Sequence, residues 1–129
     1  MSFFYLGSPY SLYRPGRNAA FELACREAGR YIAADVPVFS PIIYSHSVAA
    51  LCDLDPLDAP FWTRACFPLM NAACGMIALT ADGWRESVGM RQEIEHFERR
   101  GKPVVYAAPG AELEYGLLAE LRAVIARAE

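Results

Sequence analysis

The sequence lacks most of the short motifs that announce a chemistry. It has no GxxxxGK(S/T) loop, so the usual NTPase phosphate cradle is absent. It has no GxGxxG fingerprint and no GxSxG elbow, and no cysteine sits at a marked helix start, which argues against a nucleophilic triad. Histidine is scarce, with only His46 and His96. The four cysteines, Cys25, Cys52, Cys66 and Cys74, form no CxxC pair. A structural zinc site needs tighter ligand clusters, and no metal or other cofactor is expected. A chain this apolar has little need of a disulfide framework, so four reduced and mostly buried thiols are expected. No apolar run approaches the ~20 residues of a membrane span. Met1 to Leu6 carries no basic n-region, and the expectation is a cytoplasmic protein with no membrane partner. Charge of one sign is also missing. There are 12 basic and 15 acidic residues, a net charge of −3. Without a basic stripe, a nucleic-acid polymer is not an expected partner; a single nucleotide remains open as a ligand.

What is present is apolar sequence in short, punctuated blocks. The 129 residues are 54% hydrophobic, which suits one domain over 1–129 with a real core. Phe3 to Leu6 is a buried strand closed by Gly7-Ser8-Pro9. Helical spacing follows from Arg17 to Ala34, with Ala20, Leu23, Ala24, Ala28, Tyr31 and Ile32 near one face. Pro37 to Pro41 is a short second strand. Ile42 to Pro60 reads as a long loop, and such loops are often functional. A helix from Phe61 to Ala73 contains Pro68, which predicts a kink or a late start. Gly75 to Thr80 is fully apolar, as a central parallel strand should be. A helix from about Ser87 to Arg100 is stopped by Gly101-Lys102-Pro103. Val104 to Ala107 is a fourth strand, and Ala111 to Ala128 a last helix. Strands alternating with helices predict a three-layer α/β domain of Rossmann/flavodoxin-like type. Its parallel sheet should have four to five strands, with helices on both faces.

In such sheets ligands sit beyond the C-terminal strand ends. Three segments meet there. In Ser87-Val88-Gly89-Met90-Arg91-Gln92-Glu93, Ser87 is placed as an N-cap, and the first N–H groups of a helix are free for an anion. Glycine is disfavoured in a helix by about 1 kcal/mol relative to alanine, so Gly89 calls for a reason, and close approach of an anion supplies one. Glu93 stands at i+4 from Gly89, on the same face. Met90, Ile94 and Phe97 look like core, so partial burial would raise the Glu93 carboxyl pKa. The plain alternative is a cap and a solvated carboxylate. Gly7 to Ser11 offers small hydroxyls and amides, or simply a turn. Ser40 to His46 brings His46, which either contacts a ligand or does neither that nor proton transfer. Trp62, Trp84, Tyr10 and Tyr44 are candidates to stack on a base, or core.

Taken in order, these segments resemble the nucleoside 2-deoxyribosyltransferase-like superfamily. They look most like its small members and the 2′-deoxynucleoside 5′-phosphate N-hydrolases. The residues that carry the resemblance are Tyr5-Leu6-Gly7-Ser8-Pro9-Tyr10-Ser11, Phe39-Ser40-Pro41 with Ser45-His46, and Phe61-Trp62. Gly83-Trp84, Ser87-x-Gly89-x-x-x-Glu93 and Gly101-Lys102-Pro103-Val104 complete it. The resemblance implies that Glu93 attacks the anomeric carbon of a deoxyribosyl group, and that water or a second base resolves the covalent sugar. It implies that Ser8, Ser87 and Gly89 hold a 5′-phosphate; Tyr10, His46 and Trp84 are the candidates of this reading for contacts to base or sugar. It also implies a nucleoside or nucleotide as partner, no cofactor, and a homo-oligomer that completes its site from a neighbour. One position departs from the pattern. The superfamily often has an aspartate four residues after the tryptophan, and here that position is Cys66. Asp58 and Asp82 are the carboxylates available to support Glu93 in its place. A non-catalytic nucleotide-binding or sensor module, or a scaffold sharing only the fold, are the alternatives.

Overall fold

The computed structural model describes residues 1–129. Four short strands are set among five helices: β1 (Phe4–Gly7), α1 (Arg17–Ala33), β2 (Val38–Phe39), α2 (Pro41–Leu51), α3 (Ala59–Ala72), β3 (Gly75–Leu79), α4 (Val88–Arg99), β4 (Val104–Ala107) and α5 (Tyr115–Arg127). All strand pairs are parallel, in the order β2-β1-β3-β4. β1 and β3 lie in the middle and every residue in them is buried, as apolar runs with neighbours on both sides must be.

Alternation along β1 divides the core in two. Phe4 and Leu6 face α1 and α5, where Tyr31, Leu121, Val124 and Ile125 close over them. Tyr5 faces the other way, onto Met70, Met76, Met90 and Phe97. Each fully buried side chain such as Phe97 contributes roughly 1.5–3 kcal/mol by leaving water. The result is the expected three-layer α/β arrangement. The chain leaves β1 on the α1 face and leaves β3 on the α4 face, so the two connections diverge. That divergence opens a crevice at the C-terminal ends of β1 and β3, where doubly wound sheets take ligands.

Several boundaries differ from the sequence reading. The expected loop from Ile42 to Pro60 begins instead with α2. Ser40 caps it, accepting from the Ile43 N–H at 3.2 Å, and Pro41 occupies the first turn, where its missing N–H is harmless. The helix was masked because its residues are apolar nearly all round, with no polar face to mark a period of 3.6. α3 starts at Ala59 and runs past Pro68, whose exposed ring lies on the solvent side. The Lys102 ammonium donates to the Asn71 and Ala73 carbonyls at 2.8 and 2.7 Å, closing its C-terminal end. The last helix starts at Tyr115, later than expected. Ile32 is exposed, because helical drift carries it past the edge of the buried stripe. All four cysteines are free; Cys66 and Cys74 are buried, but Cys52 is exposed in the turn after α2. No helix is long and apolar enough to cross a membrane.

Candidate functional site

The crevice holds a cavity of about 890 Å³. Its walls come from the loop after β1, the start of α2, and facing sides of α3 and α4. Of the residues singled out from sequence, Ser8, Tyr10, Ser87, Gly89 and Glu93 all line it.

The α4 start is built as its sequence suggests. The Ser87 hydroxyl accepts from the Met90 N–H at 3.2 Å. The N–H groups of Val88 and Gly89 then have no helical partner, and the hydroxyl proton of Ser87 remains free to donate. A Cβ on Gly89 would meet nothing closer than Ser87 Oγ at 3.9 Å. Internal packing therefore gives no reason for glycine there, while open access to the helix start does. Ser8, in the loop after β1, lines the same cavity; it is buried, and its Oγ has no hydrogen-bond partner within the chain. Leaving a buried hydroxyl unpaired costs about 1–3 kcal/mol, which a ligand acceptor would recover.

Glu93 lies deeper. As a whole residue it is only partly buried, but its carboxylate is pressed against the sheet. A Cβ built on Gly7 would sit 3.2 Å from Glu93 Oε1 and would collide with the Met76 methyl. Gly7 is thus a glycine by close approach: its absent side chain is where Glu93 and Met76 meet. Burial pushes the Glu93 carboxyl up to about 7, and a hydrogen bond offered by the Tyr5 hydroxyl pulls the other way. Two further groups feel this charge. The Tyr5 phenol is raised by burial first and by Glu93 second. The Cys66 thiol is raised to about 11, again by burial and then by Glu93. Glu93, Tyr5 and Cys66 form one coupled cluster on the cavity floor. Gly7→Ala is expected to destabilise the fold by about 1–3 kcal/mol through overpacking, measured by urea unfolding. An unchanged midpoint would show that Met76 and Glu93 yield freely.

The other candidates fall elsewhere. His46 sits behind the wall: its Nδ1 shares a 2.7 Å hydrogen bond with the Tyr10 hydroxyl, and its ring stacks on Phe21 at 4.5 Å. It orients Tyr10 and does not line the main cavity. Trp84 lies outside, packed on Tyr106 with the Arg85 guanidinium over its ring. Asp58 is spent as the α3 cap, accepting from the Phe61 N–H at 3.3 Å. Asp82 joins two loops, accepting from the Arg14 N–H at 3.3 Å and pairing with its guanidinium. Neither aspartate reaches Glu93. The turn beside Asp82 is fixed too: Gly83 holds a φ of 86°, and any Cβ there would strike the Leu12 carbonyl.

A family model described as a domain of unknown function (DUF1937) matches residues 2–108. The chain belongs to that family. Every cavity residue of this DUF1937 domain lies inside the matched segment, and α5 lies outside it. No curated protein matches the chain.

Sequence reasoning missed Tyr5, His96 and the placement of Trp62. The signal for Tyr5 was a phenol in the middle of an otherwise apolar strand. His96 follows Glu93 by three positions and so shares its face. Its Nε2 is buried without a partner, and burial together with Arg100, Lys102 and Arg99 lowers its pKa. Trp62 supplies the cavity aromatic that Trp84 does not, its indole N–H donating to the Asp55 carbonyl at 2.8 Å. No three His, Cys, Asp or Glu side chains are grouped as a metal ion would need.

Proposed function

We propose that this domain is an N-glycosidase or deoxyribosyltransferase-like enzyme acting on a nucleoside or nucleoside 5′-monophosphate. The observation that carries the proposal is the set of groups that share the cavity lining. An anion-ready helix start, an unpaired buried serine and a single buried carboxylate all line it. Ser8, Ser87 and the Gly89 amide hold the 5′ end. Glu93 attacks the anomeric carbon, and Tyr5 holds its carboxylate in place. Trp62 and Tyr10 offer faces to the sugar or base. The partner is a small molecule, and a second copy of the chain completing the mouth belongs to the same proposal, as does a place in the cytoplasm.

A second reading has one observation in its favour. Cys66, not a carboxylate, lies near Glu93, and a pocket without a second acid suits a module that binds nucleotide without turnover. Incubation with a panel of nucleosides and 5′-monophosphates, followed by chromatography of free base, separates the two. Base released by the native protein and none by Glu93→Ala is the expected result. Tight binding with no release by either protein would leave the binding module, and no binding at all would remove both readings.

Ser8→Ala tests the 5′ end. Loss of one hydrogen bond to a charged phosphate, about 1.5 kcal/mol, is expected to raise KM for 5′-monophosphates roughly tenfold. KM for the matching nucleosides should stay near the native value. Stability should be unchanged or slightly higher, since an unpaired buried hydroxyl is removed. An equal rise for nucleosides would place Ser8 away from the phosphate.

A further inference from the structure

Cleaving an N-glycosidic bond leaves an electron pair on the departing ring nitrogen. A neutral base carries that pair poorly and is normally protonated as it leaves; such acid assistance contributes about 10²–10⁴-fold. Glu93 is the only carboxylate that lines this cavity, and the attack itself uses it. Asp58 and Asp82 are held elsewhere, in a helix cap and a loop-to-loop pair.

The remaining proton carriers are poor donors. Tyr5, hydrogen-bonded to Glu93, and Cys66, near enough to feel its charge, hold their protons more tightly than in water. The Tyr10 hydroxyl is engaged by His46, and burial raises its pKa as well. His96 is pushed toward its neutral form. Arg64 and Arg99 also line the cavity, as fixed charges able to donate hydrogen bonds.

We propose, on the basis of the N-glycosidase reading above, that the substrate is a nucleotide whose base is already cationic, a pyridinium or a ring-N-alkylated purine. A Glu93 carboxylate oxygen bonds to the anomeric carbon as the C–N bond breaks. The released electron pair neutralises the positive ring, and no proton is taken up. Water then attacks the same carbon, the bond to Glu93 breaks, and the surplus proton of water passes to solvent. The charges also fit. The Glu93 carboxylate meets the anomeric carbon on the face opposite the positive ring, where its field still favours a cation, while the 5′-phosphate meets Ser8 and the α4 start.

The test compares kcat/KM for two cationic substrates with two neutral ones. Nicotinamide mononucleotide and 7-methylguanosine 5′-monophosphate are set beside guanosine and 2′-deoxyguanosine 5′-monophosphates. The expected result is a preference of at least about 100-fold for the cationic pair, the lower range of what an acid supplies, with none cleaved by Glu93→Gln. Cys66→Asp, which puts a second carboxyl beside Glu93, is expected to narrow the gap by speeding the neutral pair at least about tenfold. Neutral substrates cleaved as fast by the native protein would overturn the proposal and leave the N-glycosidase reading standing. Base released from none of the four would overturn both.

Discussion

Replacing Glu93 by glutamine is expected to yield a more stable and chemically silent protein. Glutamine keeps the size of the side chain and a carbonyl able to accept from Tyr5, so the cavity should persist. It has no carboxylate to attack a sugar, and base release is expected to fall by at least about 10³-fold, as when a reacting group is lost. The stability change has a definite pH signature. Burial raises the Glu93 carboxyl from 4.5 to about 7. Between those values the folded chain holds more protons than the unfolded one, so native stability falls as pH rises through that window. Above it the folded protein carries a buried charge at a cost of roughly 3–4 kcal/mol. Glu93→Gln should therefore exceed the native protein in stability by about that amount at pH 8, with the advantage nearly gone below pH 4.5. Urea unfolding at several pH values reads this directly, and a pH-independent difference would remove the buried charge from the account. The same titration governs activity. The nucleophile must be ionised, so kcat/KM of the native protein is expected to climb with pH through about 7 and then level.

Much of this site was legible because its parts are local. Ser87 capping α4, Gly89 in the first turn and Glu93 one face-turn later depend on helical period and end effects alone. The parallel sheet was legible in the fully apolar β3 and in its alternation with helices. What escaped depends on how distant segments meet. Tyr5 and Cys66 are 61 positions apart (66 minus 5), and only packing of α3 over β1 brings both against Glu93. Trp84 and Trp62 are equivalent to any rule about aromatics. The difference is that β4 offers Trp84 a ring to rest on, Tyr106, while α3 turns Trp62 into the cavity. Asp58 and Asp82 are the carboxylates that the sequence offers as support for Glu93, but sequence does not show which oxygens are already engaged. In each case a nearby backbone N–H had the prior claim.

Glu27→Ala is expected to be the most damaging change outside the site. Glu27 lies on the inner face of α1 and is 3% exposed, unusual for a carboxylate unless it is paired. Its Oε2 accepts from the Arg30 guanidinium at 2.9 Å, and its Oε1 accepts from the Gly110 N–H at 2.7 Å. Arg30 in turn donates to the Ala111 carbonyl. These contacts fasten the turn between β4 and α5 to α1, and so help to lay Leu121, Val124 and Ile125 over the sheet. Truncation to alanine leaves the Gly110 N–H unpaired and strands a guanidinium that is itself two-thirds buried, 31% exposed. Breaking a buried pair from one side costs about 3–5 kcal/mol, a large share of the 5–15 kcal/mol that holds a domain together. Glu27→Gln should be milder, since its carbonyl oxygen can still accept from Gly110 while its amide faces Arg30. The double variant Glu27→Ala with Arg30→Ala should lose less than the sum of the single variants, because removing both partners strands no charge. Urea unfolding of the native protein, Glu27→Ala, Glu27→Gln, Arg30→Ala and the double variant measures this. A loss below about 1 kcal/mol for Glu27→Ala would mean that water satisfies both partners as well as the carboxylate does, and that the turn before α5 stands without it.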